Sequence, residues 1–522
     1  MNKGNENIIQ TPHLDQLAAD GVILKSFYTQ SVCTPTRASL QTGKYTIHLG
    51  LQHSIVQSGH ASALGTEHRT LAEELKERNY ATHMVGKWHL GYYQKKFQPL
   101  QRGFDSFKGM LTGAEYYFSH VARCEFPYYD FKGSTGGWGL DWFDGEEPAW
   151  EEEGGYSTDL LTRRAEEIIL SHPSSTSSAG PLRGEGEKEK EEKPLFLYLP
   201  YQAVHGRLQA PEEDIARFAH VKDRNRRIYA AMVWRLDQGV GNVTRALKEA
   251  GLYENSVIVF STDNGGDPVF GGNNWPLRGG KGGYWEGGIR GAAFVHSPLL
   301  EERGKERWSL IHVVDWFATI LGVVDRAIEG KYSLLNSSSN SSSSSSTSSS
   351  SSSSSSSIDG IDQWATISHG APSSRLELLH AIDPLGLDTG DPLTGTKQAA
   401  IRQGPWKLIL GAPGQNINQD KWTPPPHWTP PPSKHRQGSK CESCTFTREN
   451  LTTGVCLFNI EEDPEERCNL TGSQKGVVAQ LLARLEAWNA TAVPAQYPGP
   501  DERCDPSLHG HVFAAWGKDE SE

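Results

Sequence analysis

Residues 82–91 read Thr-His-Met-Val-Gly-Lys-Trp-His-Leu-Gly, a short segment that changes without a break into a turn bounded by glycines. Residues 82–85 are predicted to form a strand, and residues 71–78 before them have the spacing of a helix. The same order recurs further along the chain. Buried strands are predicted at 195–199 and 256–260, with a long helical pattern at 226–250 between them. Strands that alternate with helices predict an α/β fold, a sheet flanked by helices on both faces.

Polar side chains follow each of these predicted strands. Lys87 and His89 come after the first, His205 after the second, and Asp263 and Asn264 after the third. In α/β sheets, ligands bind beyond the carboxyl ends of the strands. The sequence therefore predicts that these side chains share one site.

The composition changes near residue 395, where a second unit is predicted. Residues 399–410 have the pattern of a β-hairpin, residues 456–460 that of a further strand, and residues 477–488 that of an amphipathic helix. We therefore expect a large domain at 1–394 and a small C-terminal α+β domain at 395–522, an antiparallel sheet plus a helix.

Two insertions interrupt the large domain. Residues 173–193 are rich in Ser, Gly, Glu and Lys, and residues 336–357 are almost pure serine. Neither segment contains enough apolar surface to offset the entropy of ordering its backbone. Both are predicted to be disordered surface loops.

Composition also limits the classes of partner. The formal net charge is −12 over 522 residues, which argues against nucleic acid as the main partner because phosphate binding needs clustered positive charge. No apolar run approaches the roughly 18–20 residues that span a bilayer, so no transmembrane segment is expected.

The seven cysteines divide into one and six. Cys33 stands alone near the start, and the others are Cys124, Cys441, Cys444, Cys456, Cys468 and Cys504. This division suits a secreted protein with up to three disulfides and one chemically special thiol. Six cysteines can pair in many ways, so the pairing stays open. The pair at 441 and 444 resembles half of a zinc site, but no second pair at zinc spacing follows it.

Glycosylation sequons agree with a secretory route, and they begin at Asn242, Asn450, Asn469 and Asn489. Residues 1–7 are polar and do not resemble a signal peptide. Either the protein is cytosolic or its natural N-terminus lies outside this sequence. The cysteines and sequons favour the second alternative, and with it a lysosomal or secreted protein.

A series of short motifs opens with Cys33-Thr34-Pro35-Thr36-Arg37 and continues through the blocks at 40–45, 50–53, 84–91, 202–205, 263–266, 272–281, 285–288, 406–408 and 463–467. The series covers nearly the whole chain outside the two insertions. It resembles the sulfatase family, and within that family the subgroup of arylsulfatases B, I and J.

The resemblance implies an alkaline-phosphatase-like α/β fold and a sulfuric ester hydrolase. It implies that Cys33 is oxidised to formylglycine by the formylglycine-generating enzyme. The hydrated aldehyde would attack the sulfur of a sulfated sugar, of the N-acetylgalactosamine 4-sulfate type, or of an aryl sulfate. A lysosomal role in glycosaminoglycan degradation would follow.

The resemblance also implies the catalytic roles. Arg37 and Lys87 would hold the formylglycine hydroxyls and the sulfate, and Lys281 would bind a sulfate oxygen. His89 would position the hydrate, and His205 would contact the sulfate or protonate the leaving oxygen. Fixed positive charge of this kind suits a reaction in which negative charge grows on the oxygens.

A single Ca²⁺ ion is the family's usual metal, and Asp263, Asn264 and the modified Cys33 would be its ligands here. The family also carries a strand ending in Asp-Asp ahead of the segment that matches residues 11–15. This sequence has Asn-Ile-Ile at 7–9 in that place. We therefore expect an incomplete metal site that binds the ion weakly, and a sheet that lacks a core strand.

Two other functions compete with an active sulfatase. One is a catalytically impaired sulfatase-fold protein that binds sulfated glycans. The other is a phosphomonoesterase or phosphodiesterase on the related fold. Such enzymes use Ser or Thr as nucleophile and usually two zinc ions, and Cys33 at the nucleophile position argues against that interpretation.

Overall fold

The computed structural model describes residues 9–124, 137–173, 193–330, 357–386, 398–413, 421–424, 442, 444 and 454–518. The α-helices are α1 Pro12–Asp20, α2 Cys33–Thr42, α3 Leu71–Glu77, α4 Ser157–Ser171, α5 Glu212–Arg217, α6 Arg224–Glu249, α7 Glu286–Ile289, α8 Asp315–Ile328, α9 Trp364–His369 and α10 Lys475–Asn489.

The strands range from two to seven residues. They are β1 Val22–Leu24, β2 Phe27–Tyr28, β3 Ala81–Val85, β4 Ser106–Gly109, β5 Val121–Arg123, β6 Trp138–Leu140, β7 Phe143–Asp144, β8 Glu147–Pro148, β9 Leu195–Tyr198, β10 Ile258–Ser261, β11 Ala293–His296, β12 Lys305–Arg307, β13 Ile311–His312, β14 Glu377–Asp383, β15 Gln398–Gln403, β16 Trp406–Leu410 and β17 Val455–Asn459.

Two sheets form the centre of the large unit. One has the order β10-β11-β1-β12, and the other has the order β8-β7-β4-β3-β9. Both are mixed, because β1 is parallel to β12 and antiparallel to β11, while β3 is parallel to β4 and β9 and β4 is antiparallel to β7. Helices α4 and α6 pack against each other, and α1 packs against α6 and β11. The predicted mixed α/β architecture flanked by helices is confirmed.

Two of the strands that lead into the predicted site are only partly covered. Strands β9 and β10 each form the edge of their sheet, and every residue of both is half-buried. In the described part of the chain, no strand pairs with the outer edge of either. Strand β11, the inner neighbour of β10, is buried at every residue. The expected loss of a core strand stays a prediction.

The small antiparallel sheet has the order β14-β15-β16-β17 and packs against α10. The predicted hairpin, strand and amphipathic helix are confirmed in β15, β16, β17 and α10. The sheet takes its first strand, β14, from Glu377–Asp383, which precedes the predicted division at residue 395. That division stays a prediction. The two predicted disordered insertions, 173–193 and 336–357, lie outside the described residues except for their end residues 173, 193 and 357.

Disulfides join distant parts of the chain. Cys124 pairs with Cys504 across 380 positions, and Cys444 pairs with Cys456. Cys468 is also disulfide-bonded, and Cys33 is the free cysteine of the described residues. The predicted disulfides are confirmed, and Cys33 is unpaired as expected, while Cys441 lies outside the described residues. Because Cys444 is oxidised, it cannot also bind zinc.

A buried charged cluster ties the small sheet to the large unit. Lys407 Nζ, on β16, lies 2.9 Å from a Glu286 oxygen and 2.8 Å from a Glu466 oxygen, and all three side chains are fully buried. One ammonium cannot neutralise two carboxylates. Lys407 and the neighbouring Arg290 hold the pKa of Glu286 at about 2 against the effect of burial, while burial raises the pKa of Glu466 to about 7.

Within the described residues, no helix is both long and apolar enough to cross a membrane.

This cluster predicts a stability that falls as pH rises. Glu466 binds its proton more tightly folded than unfolded, so ionising it opposes folding between about pH 4.5 and pH 7. We expect the wild-type protein to lose up to about 3 kcal/mol of unfolding free energy over this interval. Glu466→Gln should flatten this dependence, measured as melting temperatures at pH 5 and pH 8.

The matched control is Glu462→Gln, which removes an exposed carboxylate close by. It should retain the pH dependence of the wild type. A Glu466→Gln variant whose melting temperature varies with pH as the wild type does would show that another group is responsible.

Candidate active site

Helix α2 begins at Cys33. Val32 has the extended backbone of an N-cap residue, so the thiol sits at the first helical position, where it is 2% exposed. The helix ends at Gly43, whose φ of +66° gives the left-handed conformation that glycine adopts readily. Unpaired N–H groups at a helix N-terminus favour a negative charge beside them. The Cys33 side chain therefore lies where an anion is stabilised.

Two threonines hold this first turn in place. Thr34 Oγ1 donates to the His89 carbonyl at 3.0 Å and accepts from the Val56 N–H at 3.1 Å. Thr36 Oγ1 donates to the Asp263 carbonyl at 2.6 Å. Sequence reasoning assigned neither threonine a role. Their spacing was the available signal, because side chains two positions apart in a helix point to roughly opposite sides and can bond to two walls of a site.

Arg37 lies one helical turn after Cys33. Its Nη1 donates to the Lys87 carbonyl at 2.9 Å, and its Nη2 pairs with the Asp263 carboxylate at 2.9 Å. The guanidinium is almost completely buried. Arg37 thus joins two strand ends at the site, and its expected contact with the hydroxyls and sulfate stays a prediction.

Lys87 and His89 follow β3 directly. The turn needs glycine at Gly86, because its φ is +135° and a Cβ there would lie 2.2 Å from the Pro200 carbonyl oxygen. Lys87 is 1% exposed, and burial lowers its pKa to about 8. Burial and the charge of Lys87 lower the pKa of His89 to about 4, so its imidazole is neutral at ordinary pH.

The neutral His89 presents one free lone pair. Its Nε2 donates to the Val56 carbonyl at 3.1 Å, which makes Nδ1 the acceptor. Nδ1 is buried with no hydrogen-bond partner in the described structure, and His89 is close enough to Cys33 for the two groups to shift each other's pKa. Buried polar atoms rarely remain unpaired. An acceptor of this kind would suit a hydroxyl group placed at position 33.

His205 and Lys281 form a direct pair. Lys281 Nζ lies 2.8 Å from His205 Nε2, and the other ring nitrogen contacts the Gly206 carbonyl. Nδ1 therefore carries the proton, and Nε2 accepts from the ammonium. Tyr117 fixes the histidine backbone by donating to its carbonyl at 2.9 Å. Burial and the charge of Lys281 lower the pKa of His205.

The positive charges act on Cys33. Burial by itself would raise the pKa of its thiol, but Lys281 and Lys87 lower it well below its usual range. The same charges would attract a sulfate group placed at this position. The structure brings together all six predicted catalytic residues, which are Cys33, Arg37, Lys87, His89, His205 and Lys281.

Asp263 and Asn264 lie in the turn that follows β10. Asn264 Nδ2 donates to the Gly265 carbonyl, so Oδ1 faces Cys33, 3.8 Å from its sulfur. Oxygen donors of this kind suit Ca²⁺, but that ion takes about six to eight of them. Among the described residues, no group of three or more His, Cys, Asp or Glu is placed to hold a metal. These two donors have the right chemistry but do not complete a calcium site by themselves.

Comparisons with known proteins give independent information on the family of the chain. A family model described as Sulfatase matches residues 3–326. Arylsulfatase J of Mus musculus is 41% identical over 525 residues, covering 98% of this chain and 77% of that protein. N-acetylgalactosamine-6-sulfatase of Canis lupus familiaris is 28% identical over 340 residues, covering 62% of this chain and 60% of that protein.

The solved structure of Ps i-CgsB in complex with k-i-k-neocarrahexaose has a TM-score of 0.68 and 25% identity, covering 97% of this chain and 93% of that one. The agreement extends over the large unit and the small sheet, and it confirms the fold class expected from the motifs. The buried Cys33 at a helix N-terminus, ringed by cations, agrees with the same conclusion. The chain belongs to the sulfatase family.

Proposed function

We propose that this sulfuric ester hydrolase removes sulfate from a sulfated sugar of the N-acetylgalactosamine 4-sulfate type, or from an aryl sulfate, through a formylglycine hydrate at Cys33. The observation that carries the proposal is the position of Cys33 at the N-terminus of α2, beneath the charges of Lys87 and Lys281. Similarity to arylsulfatase J over 98% of the chain supports the substrate class.

The chemistry requires two hydroxyls on one carbon. The formylglycine-generating enzyme would convert the Cys33 thiol to an aldehyde, and water would add to give the hydrate. One hydroxyl attacks sulfur and the alcohol leaves. The neutral Nδ1 of His89 accepts the proton of the second hydroxyl, the carbon–oxygen double bond of the aldehyde re-forms, and the bond to sulfate breaks so that sulfate leaves. Each step is easier than direct attack by water, which is the advantage of a covalent intermediate. A plain thiol lacks the second hydroxyl and stops after one transfer.

The surrounding residues divide the remaining work. Lys87 and Lys281 stabilise the charge that grows on the sulfuryl oxygens. The unpaired Nδ1 of His89 accepts a hydrogen bond from the hydrate and orients it. The proton shared between Lys281 Nζ and His205 Nε2 passes to the leaving oxygen. Arg37 holds Lys87 and Asp263 in their relative positions through its hydrogen bonds to the Lys87 carbonyl and the Asp263 carboxylate.

We propose that Asp263 and Asn264 supply part of a calcium site beside Cys33. The ion would add positive charge next to the sulfate. Disulfides such as Cys124–Cys504 support the proposal that the protein is lysosomal or secreted, because such bonds persist in oxidising compartments.

The small number of metal donors favours one alternative, a catalytically impaired protein that binds sulfated glycans. Its cationic site would still attract sulfate through Lys87 and Lys281. Both functions begin with binding, and only the sulfatase then cleaves the ester. The alternative predicts retention of sulfated glycan by a Cys33→Ala variant and no release of sulfate by the wild type.

Replacing the nucleophile tests the proposed function. Cys33→Ala should reduce sulfate release from an aryl sulfate by a factor on the order of 10⁴ or more, because no hydrate can form. Mass spectrometry of the peptide that contains residue 33 measures the conversion of thiol to aldehyde. Wild-type protein made without the modifying enzyme is the matched control and should be equally inactive. Equal turnover by modified and unmodified protein would contradict the mechanism.

Replacing His205 tests the proton transfer. His205→Asn should lower kcat for a sugar sulfate by a factor of about 10² to 10⁴, because a sugar alkoxide is a poor leaving group that needs a proton. The loss should be smaller for an aryl sulfate, whose phenolate leaves unaided. The exposed His220→Asn serves as the control and should match the wild type. Equal losses on both substrates would make His205 a positioning residue instead.

Calcium titration tests the metal ligands. We expect a rise in melting temperature only at about millimolar Ca²⁺, because few protein oxygens are available. Asp263→Asn should abolish that rise, whatever its effect on the baseline. Asp223→Asn removes a carboxylate at the N-cap of α6, where asparagine caps equally well, and should retain the rise. A calcium response that survives Asp263→Asn would place the ion elsewhere.

A further inference from the structure

Beside the site lies a group of two aromatic rings and two guanidinium groups, here called the cation–aromatic platform and formed by Tyr116, Arg123, Trp138 and Arg207. The Arg207 guanidinium lies 4.3 Å from the Tyr116 ring centre and 5.2 Å from that of Trp138. The two rings are 5.8 Å apart, and Arg123, on strand β5, lies 5.7 Å from the Trp138 ring. Two cations therefore share one exposed indole.

The platform adjoins the side of the site where the leaving group would sit. Arg207 follows the proposed proton donor His205 by two residues, and Tyr116 precedes Tyr117, whose hydroxyl bonds to the His205 carbonyl. At the start of the same segment, Gly113 packs on the ring of His89, since a Cβ there would come within 2.6 Å of it. The segment from Gly113 to Tyr117 therefore links both histidines to the platform.

The platform is accessible and positively charged. Trp138 is 42% exposed, and Tyr116, Arg123 and Arg207 are half-buried. Among the residues that the structure describes, no carboxylate lies within 4.0 Å of the Arg207 guanidinium. Stacking on two rings holds its planar fork in place and leaves the N–H edges available, a geometry that suits carboxylate and sulfate.

A further aromatic ring lies next to Gly206, the residue that follows His205. Phe270 is 40% exposed, and a Cβ at Gly206 would come within 2.7 Å of its ring. The leaving group would therefore have an apolar ring as well as the cationic platform near it. A sugar has matching surfaces, because its ring C–H groups stack on aromatic faces while its acidic substituents require cations.

We propose that the cation–aromatic platform binds the sugar unit next to the sulfated one and selects for an anionic group on that neighbour. Trp138 stacks on the sugar ring, and Arg207 pairs with its carboxylate or second sulfate. This inference rests on the proposed function, because it assumes that a sulfated glycan occupies the site. It makes the preferred substrate an anionic oligosaccharide in preference to an isolated sulfated sugar.

The test compares three substrates of the full chain carrying formylglycine. They are an aryl sulfate, a sulfated disaccharide whose second sugar bears a carboxylate, and the same disaccharide with that carboxylate reduced to an alcohol. The wild type should prefer the carboxylate form through a lower KM. Arg207→Gln should reduce its kcat/KM for the carboxylate form, relative to the aryl sulfate, by about 10- to 100-fold.

The variants separate charge from stacking. Arg207→Gln should remove the preference for carboxylate over alcohol, whereas Trp138→Ala should raise KM for both disaccharides. Arg207→Lys keeps the charge without the planar fork and should fall between. Lys248→Gln, which breaks another cation–ring pair at 4.7 Å from Tyr253, is the control and should leave the substrate ratios unchanged.

The outcomes distinguish the platform from the proposed function. If the wild type hydrolyses the aryl sulfate but treats both disaccharides alike, or if Arg207→Gln leaves their ratio unchanged, the platform proposal is overturned and the proposed function stands. If the modified wild type hydrolyses none of the three, the proposed function fails. Calorimetric binding of the carboxylate disaccharide to Cys33→Ala protein, with and without Arg207→Gln, then decides the platform by itself.

Discussion

The ion pair between Arg37 and Asp263 is the constraint on which the site depends. The same guanidinium donates to the Lys87 carbonyl, so one side chain on α2 joins the end of β3 to the segment after β10. Those strands belong to different sheets, and β10 is half-buried along its length. A nearly buried guanidinium is stable only while its partners remain in place, and losing one partner typically costs about 3–5 kcal/mol. The geometry around Cys33 is therefore coupled to the packing of both sheets.

The small C-terminal sheet supports the site from a distance. Lys407 on β16 holds Glu286, and the glycines after Glu286 pack directly on the segment that carries Asn264. The Gly265 N–H donates to the Gly288 carbonyl at 2.8 Å, and a Cβ at Gly265 would lie 1.8 Å from the Gly287 carbonyl. Only glycine permits this approach. The buried cluster thus transmits the position of the small sheet to the proposed metal ligands.

Periodicity predicted the elements that are long or fully apolar. The helix at Arg224–Glu249, the hairpin of β15 and β16, and the strands β3, β9 and β10 lie where their patterns placed them. It could not indicate β1, β2 or β13, because two or three residues contain no period. Nor could it assign β14 to the small sheet. That strand pairs with β15 across 387–397, which lie outside the described residues, and pairing between separate segments leaves no local mark.

The sequence by itself determined the family and the residues that meet at Cys33, because chemistry of this kind requires particular side chains in a particular order. Only the tertiary structure decided what each residue contacts. In the folded chain, Arg37 donates hydrogen bonds to Asp263 and the Lys87 carbonyl, Nδ1 of His89 has no hydrogen-bond partner among the described residues, and Lys281 contacts His205. The tertiary structure also brought Arg207 onto Trp138. Hydrogen-bond partners and ring contacts depend on the relative placement of segments far apart in the chain, and that placement results from packing, which no local pattern encodes.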